Sequence, residues 1–325
     1  MDKKASKAYI GIDVGGTKIL SALITPSGKI RARNRGATPR KTKAKKIITT
    51  IFESIDGLLR ESGIPLSGIK AVGIAIPGVV DPVRGTVLVT PNMSLSGIDI
   101  VTPLRKYCRV PVMLGNDVNV GILGEHWLGA ARGVKNAVGI FVGTGIGGGV
   151  IHDDVLFCGA HNAAAEIGHM IMKINGPRCG CGNRGCLEAL AGRSGIEREI
   201  RAAVKAGRKT ILTKLLDGDL SVIKSKILRK ALNKRDLLTK DVMATAAVYL
   251  GNACVSIKHI LDPDMIVLGG GLIEACGDFI VPIVQKTVSR DPFLFKKAPC
   301  RILSARLGDD AVVIGAVALA QQKVL

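Results

Sequence analysis

The sequence predicts an α/β protein of two similar domains with a cleft between them. Three observations carry that expectation. A short apolar strand, a glycine-rich turn and two further strands occur in the same order twice, once in each half of the chain. Each copy is followed by helix-like and then strand-like sequence. The 325 residues, 47% of them apolar, suffice for two ordinary cores, and 40 glycines supply tight turns and close backbone approaches.

Taken in order, Tyr9–Val14 reads as a strand that turns at Gly15-Gly16-Thr17-Lys18 into a second, Ile19–Thr25. A Pro26-Ser27-Gly28 turn leads into a third strand, Lys29–Arg35, followed by helix-like Lys43–Arg60 and strand-like Ile69–Ile76. In the second half, Asn136–Val142 turns at Gly143–Gly149 into Val150–His152 and then Val155–Cys158. Helix-like Thr239–Leu261 and strand-like Met265–Leu268 follow. The architecture is duplicated; the sequence is not. The boundary is expected near Asp117, where strand Val110–Gly115 gives way to helix-like Val118–Ala131. That yields a small domain, 1–117, and a large one, 118–310. The last helix, Ala311–Val324 within 311–325, is apolar along most of its length and is expected to pack back onto the first domain.

Composition excludes several classes. The most apolar stretches are short or broken by glycine, below the ~18–20 residues of a membrane span. The charged start (Asp2, Lys3, Lys4, Lys7) runs straight into a strand, with no signal-peptide pattern. Eight cysteines, half of them clustered, suit a reducing cytoplasm better than a disulfide framework. The net charge of +20 is spread over Arg31–Lys46, Arg198–Lys209 and Lys224–Lys240 without interleaved aromatics. Such stretches are read as solvated faces with a tilt toward anionic ligands, not as a nucleic-acid surface.

Cysteine and histidine concentrate in Glu166-Ile-Gly-His169 … Cys179-Gly-Cys181-Gly-Asn-Arg-Gly-Cys186-Leu-Glu188. One imidazole and three thiols at this spacing suit a closed, structural, tetrahedral zinc site of His169, Cys179, Cys181 and Cys186. Glu166 and Glu188 flank it and would be pinned by it. Four unrelated core thiols and a surface histidine are the alternative. His126, His152 and His259 lack metal-like spacing, and Trp127 reads as core.

The turns at Gly15–Lys18 and Gly143–Gly149 present backbone N–H groups where glycine lets an anion approach. Either alone is a plain hairpin; two on opposite walls of one cleft are what a nucleoside triphosphate requires. Gly269-Gly270-Gly271, after strand Met265–Leu268, is a place for base or ribose, or simply a tight connection. Asp117 follows Asn116 where strand becomes helix, so a helix cap is one reading. The other is a base for phosphoryl transfer to an alcohol, which needs only to orient the hydroxyl and take its proton late. Asp13, ending the first strand, is the candidate to hold Mg²⁺ through water.

Together these residues resemble the ROK family (repressors, open reading frames and sugar kinases) of the actin/hexokinase-like superfamily, along essentially the whole chain. Asp13-Val-Gly-Gly-Thr-Lys18 resembles its first phosphate loop and Gly143-Thr-Gly-Ile-Gly-Gly-Gly149 its second. Pro77-Gly78 with Asp81-Pro82, Asn116-Asp117 with Glu125, and Gly269–Gly271 fall in the family order, and the Glu166–Glu188 segment is its zinc and sugar motif. The resemblance implies two duplicated actin-like (ribonuclease H-like) α/β domains and transfer from ATP to a hexose 6-hydroxyl, glucose foremost. Asp117 would be the base; Gly78, Asn92, Asn116, Glu166, His169 and Glu188 would bind the sugar. Asp13, Gly15, Gly16, Thr17, Lys18, Gly143, Thr144, Gly145, Gly270 and Gly271 would bind ATP and Mg²⁺. His169 would use one ring nitrogen for zinc and the other for sugar. A homodimer is expected from the family alone.

Two departures lie near the sugar: Met93-Ser-Leu-Ser-Gly97-Ile98 lacks the family's usual Gly-Trp pair, and Ala165 stands where glycine is common. N-acetylmannosamine or N-acetylglucosamine is the alternative acceptor of the same class, since the resemblance extends to relatives with those substrates that share the Glu166-x-x-His169 and cysteine pattern. A sugar-responsive repressor is the alternative of a different class, but the segment before Tyr9 is too short for a DNA-reading head and Asp117 is retained. Polyphosphate as donor is a third, disfavoured by the cysteine motif and by Gly269–Gly271.

Overall fold

The computed structural model describes residues 7–39, 42–90, 93–293 and 299–322. The first half forms β1 (Ala8–Val14), β2 (Lys18–Ile24), β3 (Ile30–Ala37), α1 (Ala44–Ser62) and β4 (Ile69–Ile76). A small excursion, β5 (Val79–Asp81), β6 (Thr86–Val89) and β7 (Ile98–Asp99), precedes α2 (Val101–Cys108), β8 (Val112–Asn116) and α3 (Asp117–Leu128). The second half opens with β9 (Ala137–Val142), β10 (Ile146–His152) and β11 (Val155–Phe157). It continues through α4 (Leu187–Ala191), α5 (Arg193–Lys205), α6 (Leu212–Leu215), α7 (Ser225–Asn233) and α8 (Leu237–Leu261). β12 (Met265–Gly269), α9 (Gly271–Ser289), β13 (Arg301–Ser304) and α10 (Ala311–Gln322) complete the order.

Two five-stranded sheets, β3-β2-β1-β4-β8 and β11-β10-β9-β12-β13, have one topology. In each the first three strands meander antiparallel, and the remaining two are added parallel to the first strand. β1 and β12 are buried almost throughout, as central strands with both faces covered must be. Helix α1 buries Ile47, Ile51, Ile55 and Leu58 along one stripe, which fixes the face it turns to the first sheet. α5 and α7–α9 cover the second sheet in a separate core. Among the described residues no helix is long and apolar enough to cross a membrane.

Helices α3 and α10 lie between the sheets. α10 is apolar on nearly every side, and its buried residues are mostly small. It rests against β1 and β4 and crosses α3, where a Cβ on Gly315 would stand 1.7 Å from the Val120 carbonyl oxygen. Only glycine permits that approach. α3 in turn packs on β9 and β10, so one pair of helices couples both sheets.

The second glycine turn is shorter than the sequence pattern implies. β10 begins at Ile146, and Gly147, Gly148 and Gly149 are strand residues. Built Cβ atoms on them would meet Val118 Cγ2 at 2.6 Å, Ala165 O at 2.5 Å and Ile122 Cγ2 at 2.6 Å. They are glycines because α3 and the 165 loop press on this strand from both faces, not because the chain turns there.

Candidate active site

The turns Gly15–Thr17 and Gly143–Gly145 follow β1 and β9, so both sit at the carboxyl edge of the parallel strands, where α/β sheets bind ligands. Gly15 N–H donates to Lys18 O at 2.9 Å, and the Thr38 hydroxyl donates to Gly15 O at 2.5 Å, setting the first turn. In the second, Gly143 N–H donates to Gly145 O at 2.8 Å. The start of α5 buttresses it: Ser194 Oγ donates to Thr144 O at 3.0 Å, and Arg193 Nη2 to Thr144 Oγ1 at 2.6 Å, with Glu197 pairing the same guanidinium. Gly270, at φ +83°, links β12 to α9 at the same edge. Beside it Gly269, Ile273, Glu274, Ser304, Ala305 and Gly308 line a cavity of about 430 Å³. Lys18 Nζ is held 2.9 Å from Asp309 Oδ1, and that bond keeps the Asp309 carboxyl below the usual range.

Asp13 is the last residue but one of β1, and Asp117 opens α3. Burial, and then the charge of Asp117, push the Asp13 carboxyl up to about 7 against the opposing pull of Lys18. Burial also raises Asp117, with Glu166 adding to it, although the Val118 N–H donates to Asp117 Oδ1 at 3.0 Å. Two carboxylates this coupled make a site that favours a cation. Asn116, not Asp117, caps the helix: its Oδ1 accepts from Val118 N at 2.9 Å and from Asn119 N at 3.0 Å. Its Nδ2 donates to Gly78 O at 2.9 Å. The cap reading therefore belongs to Asn116, while the Asp117 carboxylate takes local bonds from Val118 N–H, its own N–H and the Asn116 amide.

The loop that carries the three cysteines closes the other side. Cys181 Sγ and Cys186 Sγ lie 3.7 Å apart, as do Cys179 Sγ and His169 Nδ1. A tetrahedral ion with bonds of about 2.3 Å to sulfur would space its sulfurs about 3.8 Å apart. All four donor atoms lie within 4.8 Å of one another, so the set fits one tetrahedral ion with no position left open. Backbone bonds shape the loop: Cys179 N–H donates to Asn183 O at 2.8 Å and Gly185 N–H to Pro177 O at 2.9 Å. Cys186 then leads directly into α4, whose first turn carries Glu188.

Glu188 Oε2 accepts from Ile146 N–H at 3.0 Å, tying the metal loop to the second glycine turn. A Cβ on Gly145 would stand 2.2 Å from that oxygen, so the turn is glycine there because the carboxylate needs the space. His169 has Nδ1 toward the thiols and Nε2 3.9 Å from Glu166 Oε2. Ala165 sits at φ +64°, a left-handed conformation that glycine would adopt without steric cost.

The structure thus brings together Asp13, Asp117, Glu166, His169 and Glu188 with both glycine turns. Asn92 lies outside the described residues. His161 is exposed on the approach to Glu166, while His126 pairs with Asp154 and His259 with Asp291. Trp127 packs between two apolar clusters. Sequence reasoning missed Thr38, Arg193, Ser194 and Asp309, whose partners are far away in sequence. It also gave Glu125 no task. Glu125 is fully buried and accepts from Ala130 N at 2.7 Å, Arg306 N at 3.0 Å and Leu307 N at 2.8 Å. It clamps the end of α3 to the segment that carries Asp309. A buried acid inside an apolar helix was the signal available.

Two copies of one mixed-sheet unit, joined by a helix pair with carboxylates between their glycine turns, define an actin-like α/β protein. The chain belongs to the ROK family: the model described as "ROK family" matches residues 9–323. It is 33% identical over 318 residues to a glucokinase of Halalkalibacterium halodurans, covering 97% of this chain and 95% of that one. A glucokinase of Thermotoga maritima is 31% identical over 316 residues, covering 97% and 98%. The solved ROK family glucokinase of Streptomyces griseus, in complex with glucose and AMPPNP, superposes with a TM-score of 0.83 at 30% identity, covering 97% and 99%.

Proposed function

We propose that this chain is an ATP-dependent hexokinase that phosphorylates the 6-hydroxyl of glucose, with Asp117 as the base. One observation carries the reading: a raised, half-buried carboxylate opens the helix between the two sheets, flanked by both glycine turns and by His169 and Glu188 from the cysteine-bearing loop and the helix that follows it. Glucokinase relatives along nearly the whole chain support glucose as acceptor.

Asp117 accepts the hydrogen bond of the attacking hydroxyl and takes its proton as the loose transition state forms; strong basicity is not required. Glu188 Oε1, Glu166 and His169 Nε2 hold the other hydroxyls. Asn116 holds the Gly78 carbonyl and hydrogen-bonds the Asp117 carboxylate, which sets the position of the base beside the sugar. Because Glu188, Asn116 and Asp117 are fixed by backbone bonds, an acceptor lacking a matching hydroxyl leaves one of them unpaired. Gly15–Lys18 and Gly143–Gly145 receive the donor's phosphates, the cavity beside Gly270 receives the adenosine, and Lys18 exchanges Asp309 for phosphate. Asp13, raised by burial and by Asp117, suits a magnesium ion held through water, which supplies neutralisation of phosphate charge. His169, Cys179, Cys181 and Cys186 suit zinc, which supplies rigidity and no chemistry.

The lobes are taken as 1–117 with 311–325, and 118–310. β8 pairs in the first sheet, and α3 packs on the second, which supports a boundary at Asp117. Closing the lobes would exclude water as a competing acceptor. Cytoplasmic residence and a homodimer complete the reading, the latter on family resemblance.

An N-acylated amino sugar is the second reading. The cavity of about 770 Å³ beside His169 and Glu188, bounded by Val89, Arg178 and Arg198, has room for an acyl group. Coupled ADP release across glucose, N-acetylmannosamine and N-acetylglucosamine at matched concentrations separates the two. Asp117→Asn should lose roughly 10³-fold or more in kcat with hexose binding retained by calorimetry; near-normal turnover removes Asp117 from the mechanism.

A further inference from the structure

Arg193 is not explained by the helix it opens. It is the first residue of α5, where a cation opposes the helix dipole, and α5 has neither an acid in its first turn nor a side-chain cap on Gly192. Its pair with Glu197 four residues on runs in the weaker order, cation before acid. Nor does the glycine turn after β9 need the guanidinium to hold its path. Arg193 N–H donates to Gly143 O at 3.0 Å, Ser194 N–H to Thr144 O at 3.2 Å, and Ser194 Oγ to that same oxygen at 3.0 Å. None of these bonds uses the arginine side chain.

What the guanidinium fixes is a hydroxyl. Its Nη2 donates to Thr144 Oγ1 at 2.6 Å, while Nη1 pairs with Glu197. Glu197 is only 7% exposed and is itself held: Ile223 N–H donates to its Oε1 at 3.1 Å, and Arg201 lies 3.8 Å from its Oε2. A buried carboxylate thus anchors a guanidinium that reaches the tip of the turn. A hydroxyl that accepts from a guanidinium cannot donate back to it, so its single proton is directed elsewhere. Thr144 is exposed and lines the cavity beside His169 and Glu188, and no acceptor among the described residues takes that proton.

We propose that Arg193 is a positioning residue for the phosphoryl donor: anchored by Glu197, it holds Thr144 Oγ1 as an acceptor so that the Thr144 O–H points at a phosphate oxygen of the bound nucleoside triphosphate. This deepens the hexokinase reading and rests on it, since that reading puts the donor's phosphates at Gly143–Gly145. Paired with Glu197, Arg193 brings little net charge to the turn; what it contributes is direction. Lysine lacks the planar fork that spans Thr144 and Glu197 together, so it does not replace arginine here.

The test is a double-mutant cycle between Arg193 and Thr144, read in ATP and hexose kinetics and in calorimetry of AMPPNP with Mg²⁺. Arg193→Met and Arg193→Lys should each lower kcat/KM for ATP, and AMPPNP affinity, about tenfold, while the hexose KM moves less than about twofold. Thr144→Val should cost at least as much. Adding Arg193→Met to it should cost nothing further, because the hydroxyl through which Arg193 acts is already gone. Thr144→Ser keeps the hydroxyl and should keep the dependence on Arg193. Arg193→Lys carries the cycle if Arg193→Met does not fold. Additive losses in the double variant, a hexose KM that moves as far as the ATP parameters, or Arg193→Lys at wild-type efficiency would each overturn the proposal. If no hexose is phosphorylated, the hexokinase reading fails and the AMPPNP cycle decides alone: non-additivity supports the positioning role, and additivity or absent binding overturns it.

Discussion

Asp13→Asn removes a carboxylate that the fold holds at a cost. Unfolded, Asp13 releases its proton near 3.8; folded, burial and the neighbouring Asp117 delay release to about 7, against Lys18 and with a further push from Asp309. Ionising it therefore costs about 4 kcal/mol more in the folded chain than in the unfolded one. The sign follows from proton counting. Between those two pH values folding takes up a proton, so stability falls as pH rises and stays low above about 7. Asparagine cannot ionise, so the variant escapes the loss. In melts without divalent cations, the variant's Tm advantage should be near zero at the acid end of the window. It should grow through the window and level off above it, at about 6 °C for a chain of this size. Mg²⁺ should then raise the Tm of the unmodified chain in the alkaline arm and leave the variant unmoved. A Tm difference that does not depend on pH would mean that Asp13 titrates as an ordinary aspartate and that the cation site is misplaced.

Cys181→Ala should yield protein without stoichiometric zinc by elemental analysis, with lower Tm and weaker hexose binding, because Glu188 and His169 depend on the loop; unaltered melting in a metal-free wild type would refute the scaffold. Gly145→Ala should raise the hexose KM at least about tenfold, since its methyl competes with Glu188 Oε2 for one position; unchanged KM would remove Glu188 from the sugar site. Glu125→Gln turns an amide N–H₂ toward backbone donors, and should cost about 2–4 kcal/mol in urea unfolding and raise the nucleotide KM through the Asp309 segment. Equal unfolding free energy would show that the clamp is dispensable.

What was legible in the sequence follows from where each interaction's partners lie. Strands β1, β9 and β12 announce themselves as apolar runs bounded by glycine, and the metal ligands are near neighbours in the chain, so spacing alone assembles them. The β5-β6-β7 sheet escaped because it is short and leaves Leu88 and Val89 exposed, giving no alternation to read. Gly147–Gly149 misled because a strand glycine that admits a helix looks the same in sequence as a turn glycine. The Lys18–Asp309 pair and the Glu125 clamp join opposite parts of the chain, and no local pattern encodes them. Asn116 and Asp117 could be ranked only once the amide was seen to fill both capping bonds, so that the acid is not the cap.

The strong positive charge and the chemistry of the cleft point in opposite directions, and the structure reconciles them. Acids are the minority, 26 against 46 basic residues, yet Asp13, Asp117, Glu166 and Glu188 gather within one cleft. Burial first, and then repulsion from Asp117 on Asp13 and from Glu166 on Asp117, raise the carboxyls of Asp13 and Asp117. A site that resists its own ionisation gains when a divalent cation enters, and gains again when sugar hydroxyls donate to the same oxygens. The basic residues outside contribute a long-range field for polyanions that salt screens within about 8 Å at physiological ionic strength. Specificity therefore resides in the acidic cleft, and the surface charge acts on encounter with the anionic donor.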